Sequence, residues 1–595
     1  MIEPRVYRAA FIPALLAVVL AMFSFGSRPR PLPQGLAADV LFDGDQAAEL
    51  AARIATEEPD RRPGEPGDAA TARLVASSRT SGLRARGFSV ERQEFTHAGR
   101  ELVNVVARRA GASRRQVVVV AARDAAVVPD ATGSAASTAA LLELARVFEG
   151  RPSRKTLVLA SVDGSTLGEV GTSRLAEELS PELVDAVLVI SNLAAGSGSG
   201  PFVQAWSADA GRAGIGLQRT VADSIRQELE RPAGGSGALA QLARLAFPVG
   251  IGPQGVLIEG GYDAVRISGS GELPPSGDGR VEAIDADRLG ALGRATLRTL
   301  TAVDQGRRPE HGPGSYVLAF SQVMPGWVVA LLSGTLLLPA LVAAVDAFAR
   351  ARRRRQDVLS WLRWLGAWTA PFLAALALAE VLALAGATPP PPPAPVAPDV
   401  LPLDGPALGV LGGVLVAMAL ALLLARWLAA RPDASLKVPD QPGARVAVAL
   451  AVSAGSLLLW LVNPYAGLLA VPAAHLWTLA CLMRPLPRRR VRAGLLAAGL
   501  LPALLVFAYQ LFALSLDPLS AAWYLLLLVT GHHVGLVTAL IGCLLLGAAC
   551  GALEIAWRTP GAERPPPRET GPSIYGPGAY AGPGSLGGTG SALRR

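Results

Sequence analysis

Three acids stand where an α/β protein could do chemistry. Asp124 follows the apolar run Val117–Ala122, Asp163 follows Thr156–Val162, and Glu169 comes shortly after. If both runs are strands, these acids and Asn192, at the end of the next apolar run, lie beyond the carboxyl ends of a sheet. Open α/β sheets bind ligands there. Carboxylates grouped at such ends could hold a metal or serve as general acid and base. Few other reactive groups are available: no histidine occurs between His97 and His311, and Cys481, Cys543 and Cys550 lie in apolar segments further on. Neither a disulfide framework nor a thiolate metal site can form in the region between residues 27 and 326. Ser134, Ser165 and Thr166 lack the G-x-S-x-G elbow and the nearby histidine of a serine hydrolase. His97 reads as a turn histidine. The run Ala194–Gly200, with no helix opening after it, reads as a flexible loop.

The elements that would position these residues alternate. Strands are expected at Glu101–Ala107, Gln116–Ala122, Thr156–Val162 and Asp185–Asn192. Helices are expected at Ser137–Glu149, Gly171–Leu179, Gly214–Glu230 and Ala286–Val303. Continuous apolar strands alternating with helices predict an α/β domain, residues 40–310, built on a mainly parallel sheet covered on both faces. A region of this length can bury a sizeable core.

From Trp327 to Trp557 the chain changes character, to apolar runs of Leu, Ala, Val and Gly separated by short polar links. A bilayer core of about 30 Å needs about 20 helical residues, so these runs predict membrane spans. Spans are expected at 9–26, 327–347, 361–386, 406–428, 446–463, 467–483, 493–516 and 534–556, with 519–533 as an extra interfacial or re-entrant helix. The first reads as an uncleaved signal anchor within residues 1–30, ahead of an all-α membrane domain of about seven helices over 325–557. Arg350 and Arg352–Arg355 follow one span and Arg488–Arg490 and Arg492 precede another, while the loops Ala387–Gly405 and Leu516–Ala521 carry no Lys or Arg. By the positive-inside rule the large α/β domain is extracytoplasmic and both termini are cytoplasmic, in a multi-pass protein of the cell membrane. The net charge of +8 thus reports topology and contact with membrane lipids, not a nucleic-acid partner. The Pro-rich link 388–405 should be extended and stiff, and the Pro- and Gly-rich tail 558–595 disordered. Only two lysines against abundant Arg and Ala suggest a high-GC, bacterial genome. Within the spans, Glu380 is costly to bury and marks an intramembrane site, with Arg426 as its candidate partner.

The order of several segments in the α/β region resembles the family of co-catalytic di-zinc aminopeptidases and glutamate-carboxypeptidase-like hydrolases. These are "RRPGEPGDAA" (Arg61–Ala70), "GFSVERQEF" (Gly87–Phe95), "ELVNVVARRAG" (Glu101–Gly111), "VVVVAARD", "TAALLELARVF" and "KTLVLASVDGSTLGEVGTSRLAEEL" (Lys155–Leu179). The resemblance implies a three-layer zinc-exopeptidase-like fold with zinc as cofactor. It also implies ligands at fixed places, and here the chain departs from the pattern. The family's His-x-Asp corresponds to Ala122-Arg123-Asp124, and its metal-bridging Asp falls within Ala131–Ser134, at Thr132. Its Glu-Glu pair falls at Ser165 and Thr166, its strand-end Asp at Asn192, and its final histidine is missing. Ala, Thr and Ser cannot replace the imidazole and carboxylate donors that zinc needs. The resemblance therefore implies a pseudo-peptidase: no cofactor, no catalytic residue, and a residual cleft around Asp124, Asp163 and Glu169 that serves binding or assembly with a polypeptide or membrane-protein partner. Two alternatives stand beside this reading. One is a metallo-exopeptidase with a site rebuilt on those three acids; the other is a transport or lipid-handling protein working through the helical bundle. The layout of one leading span, a large outer domain and about seven further spans is similar to that of the attachment subunit of the glycosylphosphatidylinositol transamidase.

Overall fold

Strands that are apolar at every position need cover on both faces, and this requirement organises the first half of the chain. The computed structural model describes residues 3–34, 41–78, 82–196, 200–234, 237–273, 279–319, 322–429, 442–483 and 486–558. The tail expected to be disordered and part of the Ala194–Gly200 loop lie outside them. The chain opens with α1 (Pro4–Ala9), α2 (Ile12–Met22) and the short strand β1 (Gly26–Ser27), then α3 (Gly44–Glu57) and α4 (Pro66–Ala76). Next come β2 (Ser89–His97), β3 (Arg100–Arg109), β4 (Ser113–Ala122), α5 (Ala136–Phe148), β5 (Lys155–Val162), α6 (Val170–Glu178) and β6 (Val184–Ser191). The domain continues with β7 (Phe202–Gln204), α7 (Ile215–Leu229), α8 (Ala238–Ala246), α9 (Pro253–Glu259), β8 (Ala264–Ser268) and α10 (Ala286–Gln305).

Seven strands form one sheet in the order β2-β3-β5-β4-β6-β8-β7. The sheet is mixed, which corrects the expectation of a mainly parallel one. Only the central run β5-β4-β6-β8 is parallel, whereas β2, β3 and β7 pair antiparallel at the edges. The reason is local. Between β2 and β3 lie only Ala98 and Gly99, both at positive φ, the two-residue turn that joins antiparallel strands; parallel pairs need a crossover instead. In β4, alternate side chains serve opposite cores. Val117, Val119 and Ala121 pack with α3, α5, α7 and α10, and Val118 and Val120 with α6 and α9.

A hairpin of β9 (Tyr316–Ala319) and β10 (Gln322–Pro325) leads into the second half, and β1 adds to its edge. The helices that follow are α11 (Gly326–Arg353), α12 (Leu359–Leu384), α13 (Gly405–Ala429), α14 (Pro442–Val462), α15 (Pro464–Leu482), α16 (Arg489–Ala513), α17 (Pro518–Thr530) and α18 (Leu536–Arg558). Among the described residues, eight helices are long and apolar enough to cross a membrane, counting Pro4–Met22, while Pro518–Thr530 is shorter. The long apolar stretch 519–557 thus divides into one short and one long helix, as its length demanded. The first helix lies along α11 through buried Ala14, Ala17 and Ala21, and Tyr7 bonds His475 Nδ1 of α15 at 2.6 Å.

The α/β domain sits directly on this bundle. Asn463 Nδ2 donates to Leu245 O (2.8 Å), Gln510 Nε2 donates to Phe247 O (3.1 Å), and Arg244 stacks over Trp206 (4.1 Å) while bonding Tyr509 and Glu272. The expected Glu380–Arg426 pair does not form. Arg426 lies over Trp368, 5.8 Å from the ring centroid. Trp368 and Glu380 are twelve residues apart on α12, about 18 Å at 1.5 Å per residue, so antiparallel packing holds the two charges toward opposite ends of the hairpin.

The central strands should carry much of the stability of the α/β domain. Leu188 of β6 is fully buried. Leu188→Ala should cost about 3 kcal/mol, through lost transfer energy and a residual cavity. Urea-dependent pulse proteolysis of the detergent-solubilised chain would read this as an earlier midpoint for the α/β fragment.

Candidate functional site

Three neighbouring parallel strands, β5, β4 and β6, end side by side and deliver Asp163, Asp124 and Asn192 to one edge of the sheet. Beneath them is a charge with no access to water. Arg123 is fully buried, and its guanidinium binds Asp68 of α4 through Nε (2.8 Å) and Nη2 (2.9 Å). Nη2 also donates to Val103 O (2.7 Å) and lies 3.3 Å from Asp163 Oδ2. Asp163 is held in turn by the amides of Val103 (3.0 Å) and Gly164 (2.7 Å). Burial alone would lower the pKa of Arg123, but the charges of Asp68 and Asp163 outweigh it and hold the guanidinium protonated. Burial pushes Asp163 well above the ordinary carboxylate range; Arg123 opposes this, and the charges of Asp68 and Asp124 add to it. One guanidinium faces three buried acids, which disfavours ionising all three together.

Asp124 is saturated with donors. Oδ1 accepts from the Ser165 amide (2.9 Å) and hydroxyl (2.8 Å), and Oδ2 accepts from the Thr166 amide and hydroxyl, both at 2.9 Å. The loop that supplies these donors turns at Gly164 and Gly168, with φ of 68° and 87°, a conformation that glycine adopts without a Cβ penalty. Burial raises the Asp124 pKa, while the amides of Thr166 and Ser165 pull it down. Glu169 follows, itself at φ 60° and buried, with Thr172 Oγ1 donating to Oε2 at 2.9 Å. Burial pushes its pKa up to about 8; the Thr172 hydroxyl opposes, Asp124 adds to the rise, and Arg266 opposes. Arg266 on β8 is buried as well, and burial lowers it to about 10 against the charge of Glu169.

The other positions of interest carry no metal donor. Ala122 ends β4 and packs against the core, and Thr132 is buried with no hydrogen-bond partner for its hydroxyl among the described residues. Asn192 donates to Ser270 Oγ at 2.8 Å and to Leu273 O at 3.4 Å. Among the described residues, no group of three or more His, Cys, Asp and Glu is disposed to hold a metal. Zinc does not fit the acids at this edge: the lone pairs of Asp124 and Asp163 go to protein N–H and O–H groups. Arg266 carries no signal in the sequence, Asp68 and Arg61 stand there only within the motif Arg61–Ala70, and Arg123 only between Ala122 and Asp124. Arg61 is fully buried and holds the 129–134 turn through Pro129 O (2.5 Å), Asp130 O (3.2 Å) and Ser134 Oγ (3.1 Å).

The edge is covered from the bundle side. The Pro-rich link between α12 and α13 runs over the 164–169 loop, and a Cβ on Gly168 would come within 2.7 Å of Pro392 and Pro393. Tyr524 of α17 donates to Val396 O (2.8 Å), and Trp523 donates to Leu401 O (3.2 Å). Ala394, Val396 and Ala397 are buried. Burial, helped by the charge of Asp130, raises the pKa of Asp399 at the end of this strap.

No protein-family model and no curated protein matches the chain. Among solved structures it is similar to a glutaminyl cyclase from Fimbriiglobus ruber, at 16% identity over 46% of this chain and 99% of that one, with a TM-score of 0.34. It is similar to BSAP, a zinc aminopeptidase from Bacillus subtilis, at 13% identity over 47% of this chain and 99% of that one, TM-score 0.36. LapB from Legionella pneumophila matches at 13% identity over 49% and 81%, TM-score 0.39.

Two outcomes follow from the site's geometry. Asp124→Ala leaves the Ser165 and Thr166 amides unpaired, since the two hydroxyls can turn elsewhere, and should destabilise the domain by about 3 kcal/mol, at about 1–3 kcal/mol per stranded amide. Hydrogen exchange should show the Ser165 and Thr166 amides losing protection. Glu169 binds its proton more tightly folded than unfolded, so its contribution to stability is greatest at acid pH and is lost as pH rises from the unfolded value near 4.5 to about 8. Glu169→Gln should flatten the pH dependence of thermal unfolding across that window and raise the melting temperature at its upper end.

Proposed function

We propose that the chain is a multi-pass membrane protein whose α/β domain keeps a peptidase-like fold as a binding or assembly surface, without hydrolysis. The observation that carries this reading is the clamp on Asp124. The side chains at the places of the family's paired glutamates, Ser165 and Thr166, spend their hydroxyls and amides on that carboxylate. A hydrolytic zinc centre needs ligand carboxylates turned toward the ion and an open coordination position for water. Here the carboxylates face the chain's own donors, and the strap of Pro392 and Pro393 lies over the loop. The order of motifs from Arg61 to Leu179 supports the family resemblance independently of the site. The arginine-rich links support an extracytoplasmic α/β domain, and its docking on the bundle suits a role in presenting or holding a polypeptide at the membrane surface.

The test uses the full chain purified in detergent, loaded with zinc and freed of excess. Mass spectrometry should find no stoichiometric zinc, and aminopeptidase substrates should not turn over. Bound zinc at one or two ions per chain, with peptidase activity abolished by Asp124→Ala or Glu169→Gln, would replace this reading with an active exopeptidase. A second reading, transport through the bundle, has one observation behind it: Glu380 Oε1 is buried with no hydrogen-bond partner among the described residues. Glu380→Gln should leave the function intact if the chain is a scaffold, and abolish it if the bundle carries protons or ions.

A further inference from the structure

At the end of the bundle remote from the α/β domain, α11, α14 and α15 leave a half-open cleft with an enclosed volume of about 30 Å³. Arg350, Arg354 and Arg445 supply guanidinium groups, and Ala351, Val446 and Leu482 supply an apolar side. Arg492, 1% exposed, lies in the same helix-end layer near Leu496 and Cys481. Exposed Arg352, Arg353 and Arg355 continue the positive field outward. The arginines also have contacts within the chain: Arg350 bonds Asp346 and lies 3.7 Å from Glu3, and Arg354 and Arg445 make interactions of their own. A guanidinium has five N–H donors, so such contacts leave it capacity for a further acceptor.

We propose that this cavity binds the phosphate of an anionic lipid headgroup. Arginine forks match phosphate oxygens two at a time, and several around one cavity favour an anionic headgroup over a zwitterion, whose own cation they repel. The apolar wall decides the source. A free phosphate gains nothing from Ala351, Val446 and Leu482, whereas the glycerol and first acyl carbons of a lipid bury against them. The site also stands where the spans end, the depth at which headgroups lie and where basic pockets between helices take anionic lipids. The phosphate sits against Arg354 and Arg445, at the ends of α11 and α14. This assignment does not depend on what the α/β domain binds.

The experiment is native mass spectrometry of the full chain, titrated in detergent with phosphatidylglycerol or phosphatidylcholine, with inorganic phosphate as competitor. Phosphatidylglycerol should be retained about tenfold more strongly than phosphatidylcholine, a difference of about 1.4 kcal/mol. Arg354→Gln, at an exposed side chain, and the cavity-filling Ala351→Leu should each remove most of that preference. Arg490→Gln, exposed on α16 outside the cavity, should leave it unchanged. Equal retention of the two lipids, or a preference that survives both cavity variants, would overturn the proposal. Displacement of the lipid by millimolar inorganic phosphate would overturn the lipid assignment and leave a soluble anion as the ligand. If either cavity variant loses its monodisperse elution, the other decides.

Discussion

A guanidinium sealed from water fixes the rest of the site. Arg123 joins α4, β3 and the end of β5 through Asp68, Val103 and Asp163, and an ion so buried is tolerated only when its partners are complete. Removing any one of them would leave charge without compensation, so helix and strands are locked in register at this point. The next residue in the chain is Asp124. Its backbone is placed by that cluster, and its side chain has one direction left, toward the loop after β5.

What it meets there decides the chemistry. A carboxylate can be a ligand, a base or a hydrogen-bond acceptor, but its lone pairs cannot do all three at once. Four donors from two consecutive residues make Asp124 an acceptor. The loop can wrap so tightly because glycines stand at both of its bends, and the strain of its left-handed exit falls on Glu169, an acid kept neutral by burial. The strand-end edge that in an open α/β fold would receive a ligand is here an interior polar network.

Much of the frame was legible in the sequence. The strands ending at Ala122 and Val162 and the helices from Ala136 and Ala286 follow from apolar runs and their periods, and the division of 519–557 follows from length alone. The antiparallel edge was less visible, since β2 reads as a polar segment whose alternation is weak and whose hairpin turn lacks the usual Asn-Gly or Asp-Gly signal. The ion cluster was not legible at all: Asp68 and Arg123 are separated by 55 positions, and no local pattern encodes so distant a pair. For the same reason Glu380 and Arg426 invited a pairing that helix geometry forbids. The Pro-rich link announced its stiffness through composition, but not the surface it would lie against.

That link has a mechanical meaning. Its ends are the last turn of α12 and the first of α13, and its middle rests on Gly168. Proline fixes φ and leaves such a segment little slack, so it transmits displacement as a strut would. Anything that wedged between Pro392 and the 164–169 loop would also push on the two helices, and a tilt of those helices would open or tighten the same gap.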